Sequence, residues 1–182
     1  MIIDLDGTLI QGNSFTMYVK YCLTHMTISA VRIAWIVLLR KLRLITHFSA
    51  KCKIMGITSR RLTDTQLSRF LARLSKSVRP MFSEMLRSKD GVYYLATAAP
   101  REYAEPLARI LGFDAVVSTD CESGVECRGE EKVLRLREIG VHFDDSVTVY
   151  TDHQDDLPLM NANRLGVNYL LQQGGAGIFE QV

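Results

Sequence analysis

At 182 residues the chain has room for one domain, or for one domain carrying an inserted subdomain. Its 22 basic and 20 acidic side chains leave a net charge of +2. That near-balance provides no basic excess for nucleic acid, so this partner class is set aside. The four cysteines, Cys22, Cys52, Cys121 and Cys127, are scattered and form no CxxC pair. They predict reduced thiols in a cytoplasmic protein, not a disulfide scaffold or a zinc site. Asp4 and Asp6 interrupt the N-terminus at once, which argues against a signal peptide.

Met1-Ile2-Ile3 reads as a short buried strand running into Asp4-Leu5-Asp6-Gly7-Thr8. Two carboxylates one residue apart are followed by a Gly-Thr step suited to a tight turn. So short a strand leaves room for a natural start a few residues upstream. From about 14 to 88 the pattern is helical without a strand signal. Phe15, Val19, Cys22 and Leu23 mark one stripe, residues 28 to 48 a second, and Leu67, Phe70, Leu71, Leu74 and Val78 a third. Thr63 or Asp64 is placed to cap the third, and Pro80 to open a short helix to Leu86. In the second stripe the uninterrupted apolar run, Ile33 to Leu39, is far short of the ~20 residues that span a bilayer. Its basic flanks, Arg32, Arg40, Lys41 and Arg43, leave two readings. A buried helix with solvated ends is favoured, and an interfacial helix on anionic lipid is the alternative.

After Asp90-Gly91 the rhythm changes. Val92 to Ala96 predicts a strand ending at Thr97, and Ala98 to Leu111 a helix kinked or restarted at Pro106 and ended by Gly112. Ala115 to Thr119 is the next strand, with a turn or small hairpin around Ser123-Gly124. A helix over Glu130–Ile139 follows, then a strand over Ser146–Tyr150 ending at Thr151-Asp152. A helix over Leu157–Leu165 and a strand over Val167–Leu171 complete the pattern. Strands alternating with helices of about ten residues indicate an α/β fold with a Rossmann-like parallel sheet. Residues 1–13 and 89–182 would form that core, with 14–88 as an all-helical insertion after the first strand.

Asp4 and Asp6, Thr97, Lys132, and Asp152 with Asp155 and Asp156 all fall at strand ends or helix starts on one edge of this sheet. Open α/β sheets bind their ligands there. Phosphoryl transfer needs these residue types: a carboxylate to attack phosphorus, a hydroxyl and an ammonium on its equatorial oxygens, and carboxylates for a cation. Oxygen donors without His or Cys favour Mg²⁺ over zinc.

These segments resemble the four motifs of the haloacid dehalogenase superfamily of phosphohydrolases. They are Asp4-Leu5-Asp6-Gly7-Thr8, Thr97 within Tyr94–Pro100, Lys132 within Gly129-Glu130-Glu131-Lys132, and Asp152 to Asp156 within Tyr150–Leu159. An insertion between the first two motifs, with only about 35 residues separating the second and third, resembles the phosphoserine-phosphatase-like branch, which has a helical cap there. The resemblance implies a phosphomonoester hydrolase with Asp4 as the nucleophile that becomes aspartyl-phosphate. Asp6 would be the acid and then the base. Mg²⁺ would be held by Asp4, the Asp6 backbone carbonyl and Asp152, supported by Asp156. Thr97, Lys132 and Gly7 would bind phosphate.

Substrate selection is less legible. Asn13 stands nearest the position where serine-phosphate enzymes carry an acidic residue, and Lys51 and Lys53 are the nearest candidates for the cap cation, so phosphoserine is not the expected substrate. Asp155 is read equally as spare or functional, His153 as incidental, and His25, His47 and His142 as structural. The main expectation is a cytoplasmic hydrolase of a small phosphorylated metabolite. Alternatives left open are a lipid-headgroup phosphatase at a membrane surface, a phosphotransferase, and a non-catalytic phospho-aspartate module. Oligomeric state is not legible.

Overall fold

The structure, a computed structural model, describes residues 1–171 and 179–181. Strand β1 (Ile2–Ile3) leads into five helices: α1 (Ser14–His25), α2 (Thr27–Lys41), α3 (His47–Thr58), α4 (Asp64–Ser75) and α5 (Pro80–Ser88). Then follow β2 (Tyr94–Pro100), α6 (Arg101–Leu111), β3 (Ala115–Thr119), α7 (Glu130–Glu138), β4 (Thr148–Thr151), α8 (Leu157–Ala162), β5 (Val167–Leu171) and β6 (Phe179–Gln181). The sheet order is β3-β2-β1-β4-β5-β6, parallel through the first five and antiparallel at β6. The expected α/β fold is therefore present. The antiparallel β6 was not foreseen.

Period-two alternation divides the core between the two faces of the sheet. Ile3, Leu95 and Tyr150 point into an apolar cluster shared with α1–α6. Their neighbours Ile2, Ala96 and Val149 point into a second cluster, with Val133 and Leu136 of α7 and Leu159 of α8. The helices between β1 and β2 join the first cluster through aromatic side chains. Tyr18 stacks on Tyr103 of α6 at 5.2 Å, and Phe70 meets both rings edge-on.

Local signals set the boundaries. The Thr63 hydroxyl accepts from the Gln66 amide while the Gln66 side chain accepts from the Thr63 amide, a reciprocal cap that starts α4. Pro80 occupies the first turn of α5, where its missing N–H costs nothing. β2 runs three residues beyond Thr97 to Pro100, so α6 starts at Arg101 and not at Ala98. Pro106 lies inside α6 without interrupting it.

One expectation fails. Cys52 of α3 and Cys121 just after β3 are disulfide-bonded, with Cα atoms 5.0 Å apart; only Cys22 and Cys127 are free, both buried. The partners are 69 residues apart, so no local spacing marks them. The pairing arises because α3 reaches the segment just after β3, where Lys51 also meets Glu126. No helix among the described residues is long and apolar enough to cross a membrane.

Candidate active site

The carboxyl ends of β1, β2 and β4 and the start of α7 surround a cavity of about 420 Å³, lined by Asp4, Asp6, Thr97, Lys132, Asp152 and Asp156 among others. Asp4 leaves β1 with its amide bonded to the Tyr150 carbonyl of β4 (3.0 Å), which fixes it at the sheet edge. The chain then turns at Gly7, where φ is +80°. A Cβ at Gly7 would lie 1.9 Å from Asp152 Oδ2, so glycine supplies both the backbone angle and the space for that carboxylate. The Gly7 amide donates to the Gly12 carbonyl (2.9 Å), so its proton is used inside the loop and not on a phosphate. Thr8 Oγ1 donates to Asp152 Oδ1 at 3.3 Å.

Lys132 is the charge centre of the site. Its buried ammonium donates to Asp4 Oδ1 at 2.6 Å and lies 2.8 and 2.9 Å from the two oxygens of Asp156. Burial works against the ammonium, but Asp4 and Asp156 together hold its pKa above the usual lysine value. Thr151 Oγ1 also donates to Asp156, at 2.7 Å. Asp156 therefore positions the lysine with both of its oxygens. Thr97 is buried, and its hydroxyl oxygen accepts from the Ala99 amide (3.0 Å), leaving the hydroxyl proton to donate into the cavity.

The two opening carboxylates differ in their surroundings. Asp6 accepts from the Ser14 amide at the start of α1 (2.5 Å). Burial raises its pKa, partly offset by the hydrogen bonds from Ser14. Burial also pushes Asp4 up, to about 7, with Lys132 opposing and Asp156 adding to the rise. Asp152 is raised as well, chiefly by burial. Asp4, Asp6, Asp152 and Asp156 bring four carboxyls to a cavity that Lys51 and Lys132 also line, and burial raises the pKa of the first three. That excess of carboxyls, and the all-oxygen donor set, fit a hard divalent cation. Among the described residues no three Asp, Glu, His or Cys side chains form a metal cluster. The expected set needs fewer, since two carboxylates, Asp4 and Asp152, would act with the backbone carbonyl of Asp6.

The substrate-selecting candidates are redistributed. Asn13 caps α1, its side-chain oxygen accepting from Thr16 N at 2.8 Å, although it still lines the cavity. Lys51 reaches the cavity wall from α3 but is spoken for, donating to the Ala98 carbonyl (2.7 Å) and to Glu126 (2.8 Å). Lys53 does not line the cavity: two residues along a helix is about 200° of rotation, and it borders an apolar groove against α2 instead.

Several site residues gave no sequence signal. Arg79, just before α5, donates from Nε to the Thr8 carbonyl (2.9 Å) and from Nη2 to the Gly7 carbonyl (3.0 Å), bracing the catalytic loop across more than 70 residues of sequence. His47, expected to be structural, lines the cavity with its ring edge-on to Phe15. Burial, with Lys51 and Arg40 nearby, lowers its pKa. His153 also faces the cavity, and its Nδ1 accepts from the Asp155 amide (3.1 Å). Asp155 is ion-paired with Arg128, so it is not a spare carboxylate.

No curated protein matches the chain. Its fold resembles that of a protein of unknown function from Bordetella pertussis Tohama I (TM-score 0.66, 19% identity, 88% of this chain and 85% of that one). It also resembles a phosphoserine phosphohydrolase-like protein from Francisella tularensis subsp. tularensis SCHU S4 (TM-score 0.54, 16% identity, 90% and 82% covered). A third likeness is to a phospho-aspartyl intermediate analogue of phosphoserine phosphatase (TM-score 0.51, 12% identity, 91% and 83% covered). The family model for haloacid dehalogenase-like hydrolases matches residues 1–161, which contain every catalytic-site residue described above. With the sheet order, the paired aspartates after β1 and the lysine reaching them from α7, this match establishes that the chain belongs to the haloacid dehalogenase-like hydrolase family.

Proposed function

We propose that the protein is a Mg²⁺-dependent phosphomonoester hydrolase acting through an aspartyl-phosphate on Asp4, with helices 14–88 as a cap that selects a small phosphorylated metabolite. The observation that carries this reading is the arrangement around Asp4. Its carboxylate stands at the sheet edge, oriented at 2.6 Å by Lys132, with Asp6, Thr97 and Asp152 around the same cavity.

Asp4 attacks phosphorus in line with the ester oxygen, and the alcohol leaves with a proton from Asp6. Burial favours the protonated form of Asp6, and the Ser14 amide fixes one of its oxygens, so the acid is ready and oriented. Asp6 then takes a proton from a water that attacks phosphorus, which breaks the bond to Asp4, frees its carboxylate and releases inorganic phosphate. Thr97 and Lys132 donate to the phosphoryl oxygens as charge builds on them. A bound Mg²⁺, held by Asp4, Asp152 and the Asp6 carbonyl, would neutralise phosphoryl charge. The structural likeness to a phospho-aspartyl analogue of phosphoserine phosphatase supports the fold side of this reading.

Hydrolysis of a generic aryl phosphate with Mg²⁺, followed by released phenolate, tests it. Asp4→Asn is expected to lower kcat by about 10³-fold or more, since the nucleophile itself is removed. Retained turnover in that variant would defeat the nucleophile assignment, and turnover unaffected by EDTA would defeat the metal.

A further inference from the structure

Helix α2 carries apolar residues on a face that the fold leaves uncovered. Val31, Ala34, Trp35, Leu38 and Leu42 recur at spacings of three and four, which places them along one side of the helix. Val31 is 76% exposed, Trp35 60% and Leu42 59%, and Leu44 just beyond is 67% exposed. The opposite side is the buried one, through Ile33 and Ile36. The exposed side continues into a groove of about 950 Å³ against α3, lined by Val31, Trp35, Leu38, Leu39, Ile45 and Ile57. An apolar surface of this kind on a protein marks an interaction site.

The charge around it is one-sided. Between Ser14 and Thr63 lie nine of the 22 lysines and arginines and none of the 20 acidic residues. Arg32, Arg40, Lys41, Arg43 and Lys53 border the stripe, and none of them forms an ion pair among the described residues. The whole chain is nearly neutral, so this is a concentration of positive charge on one part of the surface and not a general basicity.

We propose that the exposed face of α2 docks the protein peripherally on an anionic lipid bilayer, with Trp35, Leu38 and Leu42 entering the interface and the flanking cations meeting headgroup charge. A second copy of this chain is a poorer occupant, because pairing α2 with α2 would bring two cationic, acid-free surfaces together. At 15 residues α2 is about 22 Å long, short of the roughly 30 Å hydrocarbon layer, so it lies on the bilayer and does not cross it. The C-terminal end of the stripe adjoins the catalytic site. Arg40, Arg43, Leu44 and His47 line one shallow depression, and His47 also lines the catalytic cavity. Docking therefore holds the cavity mouth beside the headgroups. The inference stands on surface and charge alone and is read by binding, independently of turnover.

Trp35 is the sole tryptophan, so its emission reports directly on the proposed contact. The full chain is sedimented with phosphatidylcholine vesicles and with vesicles containing about 30 mol% phosphatidylserine. Binding is expected to be about tenfold tighter to the anionic vesicles, to weaken at about 0.5 M salt, and to shift Trp35 emission to the blue. Leu38→Glu and Leu42→Glu, both at exposed positions, should each weaken binding about tenfold while leaving the circular-dichroism melt unchanged. Failure to sediment with either vesicle, or sedimentation without a Trp35 shift, would overturn the proposal. So would a dimer, seen by analytical ultracentrifugation without lipid binding and dispersed by Leu38→Glu.

Discussion

At the scale of single residues, the cavity gathers more carboxylates than Lys132 and Lys51 balance, and stability should register this. Asp4 titrates near 7 in the fold, above the ordinary aspartate value of about 4 that it has when unfolded. The folded state thus binds the extra proton between those values, and the stability this contributes is present at low pH and lost as pH rises through about 7. Asp4→Asn removes the titration. In metal-free buffer the melting temperature of the variant, relative to the unmutated protein, is expected to climb from about pH 4 to about pH 7 and then level off. A difference that stays constant across this range would show that Asp4 is an ordinary carboxylate. Holding this carboxylate out of water therefore works against the stability of the chain, as the proposed role of a nucleophile requires.

At the scale of elements, the helical insertion is fastened to the sheet edge by α3. Lys51 pairs with Glu126 and bonds the Ala98 carbonyl, and the adjacent Cys52 is bonded to Cys121. One turn of helix thus grips both the end of β2 and the segment after β3. The sequence shows the helix but not the grip, because each partner is remote and neither cysteine has a spacing motif. The same holds for Arg79, whose bonds to Gly7 and Thr8 require α5 to pack beside the first loop. Closing 69 residues with a disulfide removes chain entropy from the unfolded state worth about 4.4 kcal/mol. Thiol titration of the unfolded, unreduced protein should find two reactive cysteines, rising to four after reduction. Cys52→Ser should melt lower than the oxidised protein and level with the reduced one. Four thiols before reduction would mean that the link does not form.

At the scale of the whole molecule, the sheet was legible because strand residues alternate between two buried faces, as Ile2 and Ile3, or Val149 and Tyr150, do. That the site carboxylates share one cavity was legible for a related reason. Asp4 and Asp152 each follow an apolar strand and Thr97 lies within one, and parallel strands deliver such residues to one edge. What the sequence concealed lies where elements meet: His47 and Phe15 at the cavity, Asn13 spent on a helix cap, and Lys53 turned away from the site. The same convergence would make folding and binding of the proposed metal one equilibrium. β1 and β4 carry Asp4 and Asp152 to a common edge only in the folded state, so the unfolded chain offers no comparable site for a divalent ion. A ligand that binds only the folded form at one hundred times its dissociation constant stabilises by about 2.7 kcal/mol. For a chain of this size that is a rise in melting temperature of about 5–10 °C. Saturating Mg²⁺ should therefore raise the melting temperature of the unmutated protein by about that amount. Asp152→Asn should keep the metal-free fold, because the position lies at the solvent-facing cavity, but lose most of the Mg²⁺-induced rise. An equal rise in both proteins would remove Asp152 from the metal site, and no rise in either would remove the metal.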